Sequence, residues 1–377
     1  MLRGGFSSGR TSLRDKLLSL DYALIFSILL LGFISFIAMY SNERGTVGYY
    51  TQSHLYRFFI FFGLFIFISL ISAQFWYKSA YIFYALILIL LIVVDIYGIS
   101  SSGSKRWLNL FFINLQPSEL MKIALIIFLA RFYSKIPSES VSSLKNIILP
   151  IFAIFIPFFL IISQPDLGTA VLIACCGTSI IWLAGFRIKY FLYSFIVFIC
   201  LIPVGISFLK PYQKSRILTF LDPEKDPLGA GYQILQSKIA VGSGGIFGKG
   251  FLKGSQSYLD YLPEKHTDFI FTLFSEEFGF VGSVGLLLVY VFIIYKIISI
   301  GNLCRNNFQK LFCYGFGVAF FIYVSVNMLM VLGLLPIVGA PLPIMSYGGS
   351  AMLSIMLGLG IVMSCKVHLK ADSSYNT

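Results

Sequence analysis

Charged residues are scarce in this chain: Asp, Glu, Lys and Arg together make up 12% of its 377 residues. A soluble protein carries about 25% charged residues, so this shortage excludes an ordinary soluble domain. In their place, 58% of the residues are hydrophobic and the mean hydropathy is +0.87. Long apolar runs with so few charges predict an all-α, polytopic membrane protein.

The long polar stretch of the chain, residues 209–277, contains no cysteine. All six cysteines lie in or beside apolar runs, so the sequence has neither a disulfide framework nor the paired spacing of a zinc site. A glycine-rich segment inside the stretch, residues 241–250, fails the Walker pattern and follows no predicted strand. It is compatible either with a turn that packs the loop or with a backbone contact to a substrate phosphate.

The net charge is +12, which by itself would suggest a nucleic-acid partner. The cations lie mostly in the short connections between apolar runs, where membrane orientation accounts for them, so we exclude nucleic acid. The chain starts with a basic segment and a full-length apolar run, without a small-residue cleavage site after a short apolar core. This pattern predicts a retained first span rather than a signal peptide that is removed.

Ten apolar segments are long enough to cross a membrane, which takes about 20 residues. They are continuous rather than alternating, so helices are the only plausible spanning form. The predicted spans are 21–40, 55–74, 79–98, 117–134, 144–163, 168–185, 189–208, 268–295, 311–333 and 342–364. The whole chain, residues 1–377, is predicted to form a single membrane domain.

Lysine and arginine are distributed unevenly between the two sets of short connections. One set carries nearly all of them, whereas the other carries little more than Arg44, Lys105 and Arg106. Because positively charged loops stay in the cytoplasm, both termini, residues 1–20 and 365–377, are predicted to be cytoplasmic tails. The connection between spans 7 and 8, residues 209–267, is then one large extracytoplasmic loop.

The polar stretch 209–277 holds half of all the acidic residues. A polar stretch this long in a compact chain is either functional or disordered, and its many aromatic residues argue against disorder. At its end, the charged segment 264–268 runs directly into the apolar segment 269–271. The carboxylate of Asp268 is therefore predicted to lie at the edge of the hydrocarbon, where its charge is costly and its pKa can be tuned.

Charged residues also fall inside predicted spans. Glu119 and Lys122 are three residues apart, so they lie on one helix face and can pair. A structural ion pair and a direct contact with substrate are both compatible with this spacing. Glu276 and Glu277 lie one to two turns inside span 8 and are predicted to face a polar interior.

Two irregular segments flank spans. Asp166 stands in a tight turn, where it could cap span 6 or serve a site. Proline and paired glycine in the segment 341–350 predict an irregular start to span 10, which is tolerated only beside a buried or wet cavity.

Six short motifs, in order along nearly the whole chain, resemble the signature of the SEDS proteins (shape, elongation, division and sporulation). They are Gln116-Pro-Ser-Glu119, Gln164-Pro-Asp-Leu-Gly168, Phe220-Leu-Asp-Pro223, Gly231-Tyr-Gln233, Tyr261-Leu-Pro-Glu-Lys-His-Thr-Asp-Phe-Ile-Phe271 and Ser346-Tyr-Gly-Gly349. Each motif alone is weak, but together with the ten-span layout they are specific. The segments 236–245 and 263–268 are similar to the rod-shape (RodA-like) branch, because the division (FtsW-like) branch usually has a small residue where Lys265 stands.

The resemblance implies a peptidoglycan glycosyltransferase of the bacterial cytoplasmic (inner) membrane that serves cell elongation. It would polymerise lipid II, a disaccharide-pentapeptide on undecaprenyl diphosphate, at the outer face of that membrane. The implied partner is a class B penicillin-binding protein, the transpeptidase that cross-links the glycan, within the cell-elongation machinery. The chemistry needs cations for the diphosphate and a base for the attacking hydroxyl. No organic cofactor is expected.

Asp268 matches the family's catalytic carboxylate and is the predicted general base, with His266 as the alternative base. Arg106, Arg216 and Lys238 are candidates for binding the diphosphate, and a divalent cation such as Mg or Mn, with unknown protein ligands, could share that task. Arg106 could equally anchor its loop beside Trp107. Further residues expected to bind substrate are Gln116, Ser118, Gln164, Asp166, Glu264, Lys265, His266, Thr267 and Ser346.

Other functions remain compatible with the sequence. A transporter that flips lipid II would also have about ten spans, a buried ion pair and a span broken by glycine and proline, although no inverted repeat is visible. A structural scaffold for the cross-linking enzyme has no need of an acid at the mouth of span 8. Within the family, a division-branch polymerase is the alternative to an elongation enzyme.

Overall fold

The computed structural model describes residues 12–101, 104–109, 114–193, 196, 200, 211–226, 229–255 and 266–369. Within these ranges the chain is mostly helical. The helices are α1 (Leu13–Leu18), α2 (Tyr22–Asn42), α3 (Tyr49–Leu70), α4 (Ala73–Tyr97), α5 (Pro117–Tyr133), α6 (Leu144–Ser163), α7 (Leu167–Leu183), α8 (Pro211–Leu221), α9 (Ala230–Ser243), α10 (Ile270–Leu303), α11 (Asn307–Val331) and α12 (Gly349–Val367). The strands are β1 (Ile99–Ser101), β2 (Ser104–Asn109) and β3 (Asn114–Leu115).

Seven of the described helices are long and apolar enough to cross a membrane, namely α2, α3, α4, α6, α10, α11 and α12. They confirm the prediction of a helical, polytopic membrane protein. Two further predicted spans, 117–134 and 168–185, coincide with α5 and α7, which have 17 residues each. The remaining predicted span, 189–208, lies mostly outside the described residues.

Helix α5 runs through the interior of the bundle. Nearly all of its residues are buried, and it packs against α4, α7, α11 and α12. A helix that is apolar on every side is stable when protein surrounds it, so α5 needs no face toward lipid. Its charged residues Glu119 and Lys122 are therefore held inside the protein.

The predicted large loop, residues 209–267, contains regular structure in its described part. Helices α8 and α9 belong to it, and α9 packs against the start of α10. The hydroxyl of Ser237 in α9 lies 2.9 Å from that of Thr272 and donates to the carbonyl of Val331 at 2.7 Å. The polar stretch therefore folds because it has a packed surface of the bundle to bind.

A small antiparallel sheet, which the sequence pattern does not reveal, lies between α4 and α5 in the chain. Its strands pair in chain order, with Ile99 opposite Trp107 and Leu108 opposite Leu115. Strand β2 carries Arg106, and β3 leads directly into α5. The sheet thus fixes the position of this arginine relative to the start of the central helix.

The chain enters α12 through the non-helical segment 341–348, which confirms the predicted irregular start of span 10. The helix itself begins at residue 349, later than the predicted 342. The segment finds its partners inside the protein: the N–H of Leu342 donates to Ser346 Oγ at 2.7 Å, and that hydroxyl donates to the carbonyl of Thr267 at 2.6 Å. Backbone satisfied in this way is tolerated at membrane depth.

Candidate functional site

A cavity of about 540 Å³ lies at the end of the bundle that carries the sheet and α8, which we call the loop end. Distant parts of the chain meet around it. The residues that line it are Arg106, Trp107, Gln116, Glu119, Asp166, Arg216, Gly229, Gln233, Thr267, Asp268, Ile337, Gly339, Pro341, Tyr347, Gly348, Ser350 and Ala351. Carboxylate, guanidinium, amide and hydroxyl groups thus share one concave space, as is typical of a ligand site.

Asp268 lies two residues before α10 and lines this cavity together with Thr267. Its backbone is fixed, because Asn327 Nδ2 of α11 donates to the carbonyl of Asp268 at 2.9 Å. Ser346 holds the preceding residue through its bond to the carbonyl of Thr267. The backbone that carries the Asp268 side chain is therefore fixed in the cavity wall.

Arg106 reaches the cavity from β2 and is held on the turn before α7. Its Nε donates to the carbonyl of Gln164 at 3.2 Å, and its Nη2 donates to that of Pro165. Its Nη1 lies 3.4 Å from Asp166 Oδ2. A guanidinium has five N–H donors, so donors remain for a ligand, and a planar group fixed in this way suits bidentate phosphate contacts. Anchoring and ligand binding are therefore compatible roles for Arg106.

Asp166 caps α7 and also lines the cavity. It accepts the N–H of Thr169 at 3.1 Å and the hydroxyl of the same residue at 2.9 Å. Gln116 Nε2 lies 3.4 Å from Asp166 Oδ2, so two predicted substrate-binding residues meet in the cavity wall. Gln164 is buried outside the wall, where its Nε2 donates to the carbonyl of Leu91 at 2.9 Å. Its side chain holds the turn that carries Asp166.

Glu119 and Lys122 form an ion pair inside α5, with 2.7 Å between Lys122 Nζ and Glu119 Oε1. Their side chains are 7% and 4% exposed, respectively. The ammonium group also lies 3.8 Å from the ring centroid of Tyr323, a cation–π contact. Glu119 lines the cavity. The pair therefore belongs to the interior of the bundle and, through Glu119, to the wall of the site.

The other two cations predicted to bind the diphosphate lie in different places. Arg216 extends from α8 into the cavity wall, and its Nη1 donates to the carbonyl of Ile337 at 3.3 Å. Lys238 is exposed on α9, outside the cavity wall, and its side chain lies against Gly333. Gln233, on an earlier turn of the same helix, occupies the wall instead.

His266 is placed beside the cavity rather than in its wall. Its ring stacks on that of Tyr50, with 3.9 Å between the centroids, and Asn42 Nδ2 donates to its Nδ1. Its carbonyl accepts the N–H of Tyr347 at 2.9 Å. His266 therefore ties the chain that leads to Asp268 onto α2 and α3.

The remaining predicted site residues do not line the cavity in the part of the chain that the structure describes. Ser118 is buried in α5, and Ser346 acts through its bonds to Thr267 and the backbone before α12. Glu264 and Lys265 lie outside the described residues.

Sequence reasoning missed four polar residues of the site, namely Gln233, Tyr347, Ser350 and Asn327. Gln233 and Tyr347 stand within the family motifs, and the guanidinium of Arg57 lies 4.7 Å from the ring centroid of Tyr347. Asn327 is a buried amide in an apolar helix, where a polar residue is a functional candidate by default. That signal was available in the sequence, although the partners of these residues were not.

The part of the chain that the structure describes offers few ligands for a divalent cation. Among the described residues, no group of three or more His, Cys, Asp or Glu side chains is placed to hold a metal ion. The carboxylates of Asp166 and Glu119 are bound to Arg106 and Lys122, respectively. Magnesium is commonly held by one or two carboxylates plus substrate phosphates, and the cavity fits that kind of binding rather than a closed protein cage.

The sequence model of the FtsW/RodA/SpoVE proteins, described as cell cycle protein, matches residues 17–371. The chain belongs to this family. This confirms the resemblance to SEDS proteins. The peptidoglycan glycosyltransferase MrdB of Escherichia coli is 45% identical over 288 residues, which cover 76% of this chain and 77% of MrdB. A probable peptidoglycan glycosyltransferase FtsW of Tolumonas auensis is 33% identical over 365 residues, covering 94% and 93% of the two chains.

Solved structures share the SEDS fold seen here. One is a chain from a peptidoglycan synthase complex that coordinates polymerization and crosslinking; its TM-score is 0.80 at 29% identity, covering 96% of this chain and 100% of that one. The rod-shape-determining protein RodA of Thermus thermophilus gives a TM-score of 0.69 at 25% identity, covering 94% and 98%.

Proposed function

We propose that this SEDS protein is a peptidoglycan glycosyltransferase that polymerises lipid II into glycan strands during cell elongation. The observation that carries the proposal is the convergence of Asp268, Arg106 and Arg216 on one cavity. A proton acceptor and two guanidinium groups are what transfer from a diphosphate-linked sugar requires. The identity of 45% to MrdB, against 33% to the FtsW relative, supports the elongation branch.

In the proposed step, the hydroxyl oxygen of the acceptor sugar attacks the anomeric carbon of the donor. The bond between that carbon and the diphosphate oxygen breaks, and the electron pair leaves with undecaprenyl diphosphate. Asp268 takes the proton of the hydroxyl. The anomeric centre inverts, because attack and departure occur on opposite faces. Arg106 and Arg216 neutralise the charge that develops on the leaving diphosphate.

A divalent cation, Mg or Mn, is part of the proposal as an ion that enters with the diphosphate. It would be held mainly by the phosphate oxygens and would neutralise their charge. Chelation of divalent ions should then slow polymerisation, and added Mg or Mn should restore it. An unchanged polymerisation rate in the presence of chelator would show that the reaction does not need a divalent cation.

We place the cavity at the outer face of the cytoplasmic membrane, with both termini in the cytoplasm, because of the distribution of cations in the short loops. The partner we propose is a class B penicillin-binding protein, and the likeness to a chain of a peptidoglycan synthase complex supports it. Coexpression with the cognate partner should raise polymerisation. Equal polymerisation by the protein alone and in the complex would show that the partner does not activate it.

The deciding experiment is lipid II polymerisation by the purified full-length protein with its cognate partner, in detergent, with Asp268→Asn as the variant. The substitution keeps the size of the side chain and removes the base, which is worth about 10²–10⁴ in rate. Expression and partner binding should stay near the wild-type level. If Asp268→Asn polymerises lipid II at the wild-type rate, Asp268 is not the general base. Absence of glycan from the wild-type protein would overturn the glycosyltransferase assignment, since transport requires vesicles and polymerisation does not.

A further inference from the structure

Helix α10 consists of two helices joined at a break. Gly279 has φ of +65° and ψ of −160°, which is not helical. The part after the break is by itself long enough to cross a hydrocarbon core, which takes about 20 residues. The part before it, residues 270–278, is therefore a separate short helix at the loop end, and we call it the half-helix. Asp268 lies two residues before the half-helix.

A glycine-rich turn, residues 244–250, supplies the hydrogen bonds that the break in α10 releases. Four backbone bonds of 2.9 to 3.1 Å connect the turn to both sides of the break. They run from Phe280 N to Gly245 O, from Val281 N to Ile246 O, from Lys249 N to Glu276 O and from Gly250 N to Glu277 O. The turn thereby replaces the helical partners that the broken backbone lacks.

Two glycines bring the turn and the break into direct backbone contact. Gly248 has φ of +81°, and a Cβ there would lie 2.0 Å from the carbonyl oxygen of Glu277. A Cβ on Gly279 would lie 2.2 Å from the N of Gly248. The glycine-rich segment thus forms a packed turn, and its backbone donors at Lys249 and Gly250 are bound to the half-helix.

The buried carboxylate of Glu276 stabilises the contact between the turn and the half-helix. Glu276 is fully buried, and its Oε1 lies 2.7 Å from Lys249 Nζ. The same oxygen accepts the backbone N–H of Ser255 at 2.9 Å and its hydroxyl at 3.1 Å. Lys249 Nζ also donates to Ser255 Oγ at 2.7 Å. One carboxylate oxygen therefore joins the half-helix to the turn and to the chain that goes on toward Asp268.

We propose that the Lys249–Glu276 ion pair is a positioning element for the carboxylate of Asp268; this rests on the proposed function. The half-helix is held at one end by Asn327, through the carbonyl of Asp268, and at the other by Glu276. A short helix moves as a unit, so a displacement of one end also displaces the other end. Neither Lys249 nor Glu276 lines the cavity, so the effect on the reaction passes through the half-helix.

The consequence for the reaction is a change in rate without a change in substrate binding. A shift of about 1 Å in a reacting group costs about 10²-fold in rate. Release of the Glu276 end by removing Lys249 should therefore lower kcat, while Arg106 and Arg216, which belong to other elements, keep KM near its wild-type value. An arginine at position 249 keeps the charge and should restore most of kcat.

The test uses the full-length protein with its cognate partner and lipid II as substrate, and it measures kcat, KM and the folded fraction of each variant. Lys249→Met should lower kcat about tenfold or more with KM nearly unchanged, and Lys249→Arg should recover most of the loss. Lys225→Met is the matched control: Lys225 pairs with Asp222 at 2.9 Å on the same loop, but its side chain is 82% exposed. The control should keep wild-type kcat.

Three outcomes would overturn the proposal. Wild-type kcat in Lys249→Met, a rise in KM alone, or a lower melting temperature with unchanged kcat per folded molecule would each show that the pair does not position the base. Asp268→Asn, measured in parallel, separates this failure from that of the proposed function. An inactive Asp268→Asn beside a fully active Lys249→Met defeats the positioning role alone, whereas an active Asp268→Asn defeats the assignment of the base.

Discussion

Asn327 Nδ2 of α11 donates to two backbone carbonyls at once, that of Asp268 at 2.9 Å and that of Ala340 at 2.7 Å. Asn327 is fully buried, and an amide NH₂ has two donors for such bonds. The two carbonyls belong to the chain before α10 and the chain before α12, which both border the cavity. One buried amide therefore connects the chain that carries the base to the chain that carries Gly339, where a Cβ would lie 3.6 Å from Asp268 Oδ2.

Asn327→Leu removes both donors with little change in size. Two carbonyls lose a partner, at about 1–3 kcal/mol for each buried group, so the melting temperature should fall. Asp268 loses its support as well, so kcat for lipid II should also drop. Asn302→Leu is the control, because Asn302 is exposed near the opposite end of α10, where it accepts from Tyr314. Unchanged kcat in Asn327→Leu would show that this amide does not hold the base.

Arg106→Lys keeps the charge and loses the guanidinium. The ammonium group cannot bond at once to Gln164, Pro165 and Asp166 and also present donors to phosphate. Since a hydrogen bond to a charged group is worth about 1.5–3 kcal/mol, kcat/KM for lipid II should fall about tenfold or more. The control is Lys105→Arg, at the exposed neighbouring position of the same strand. Equal kcat/KM for wild type and Arg106→Lys would show that Arg106 contributes only its positive charge.

Removal of either partner of the Glu119–Lys122 pair leaves an unpaired charge inside α5. This costs about 3–5 kcal/mol, so Glu119→Leu and Lys122→Met should each lower the melting temperature and the protein level. The double variant should recover part of the stability, because both charges are then absent. It should not recover full activity, since Glu119 lines the cavity. Two single variants with wild-type stability would show that the pair contributes nothing to folding.

Glu43 lies just after α2 and caps α3: it accepts the backbone N–H of Tyr50 at 3.0 Å and of Thr51 at 2.9 Å. Burial raises the pKa of Glu43, but the hydrogen bonds from Thr51 and Tyr50 together bring that pKa below its ordinary 4.5. A lowered folded pKa gives stability that is present above pH 4.5 and is lost as pH falls through the folded pKa. The melting temperature of wild type should therefore exceed that of Glu43→Gln near neutral pH. The difference should close on acidification, and a pH-independent difference would contradict the cap.

Lys225→Cys tests the membrane orientation, in a chain whose six native cysteines are replaced. The Lys225 side chain is 82% exposed, so the new thiol should react with an impermeant reagent in intact cells. Ser374→Cys, in the C-terminal tail, should react only after the membrane is permeabilised. In intact cells, a thiol at position 225 that is protected, together with a thiol at position 374 that is labelled, would contradict the orientation inferred from the cations.

The amino-acid sequence by itself determined the membrane class, most of the spans and the irregular entry to α12. It also placed Glu119 and Lys122 on one helix face. These features depend on local pattern: the length of an apolar run, a spacing of three residues on a helix, or proline and glycine near a helix start. The motifs likewise indicated the family and contain Asp268 and Asp166, whereas Arg106 and Arg216 were predicted because a diphosphate needs cations.

Only the tertiary structure decided which polar groups meet. It placed Arg216 in the cavity wall and Lys238 outside it, and it moved His266 into a stack with Tyr50. It also joined Asn327 to Asp268 across 59 residues of sequence. No local pattern encodes such contacts, because they arise when segments that are far apart in the chain bury their apolar faces together and their polar groups must find partners where they come to lie.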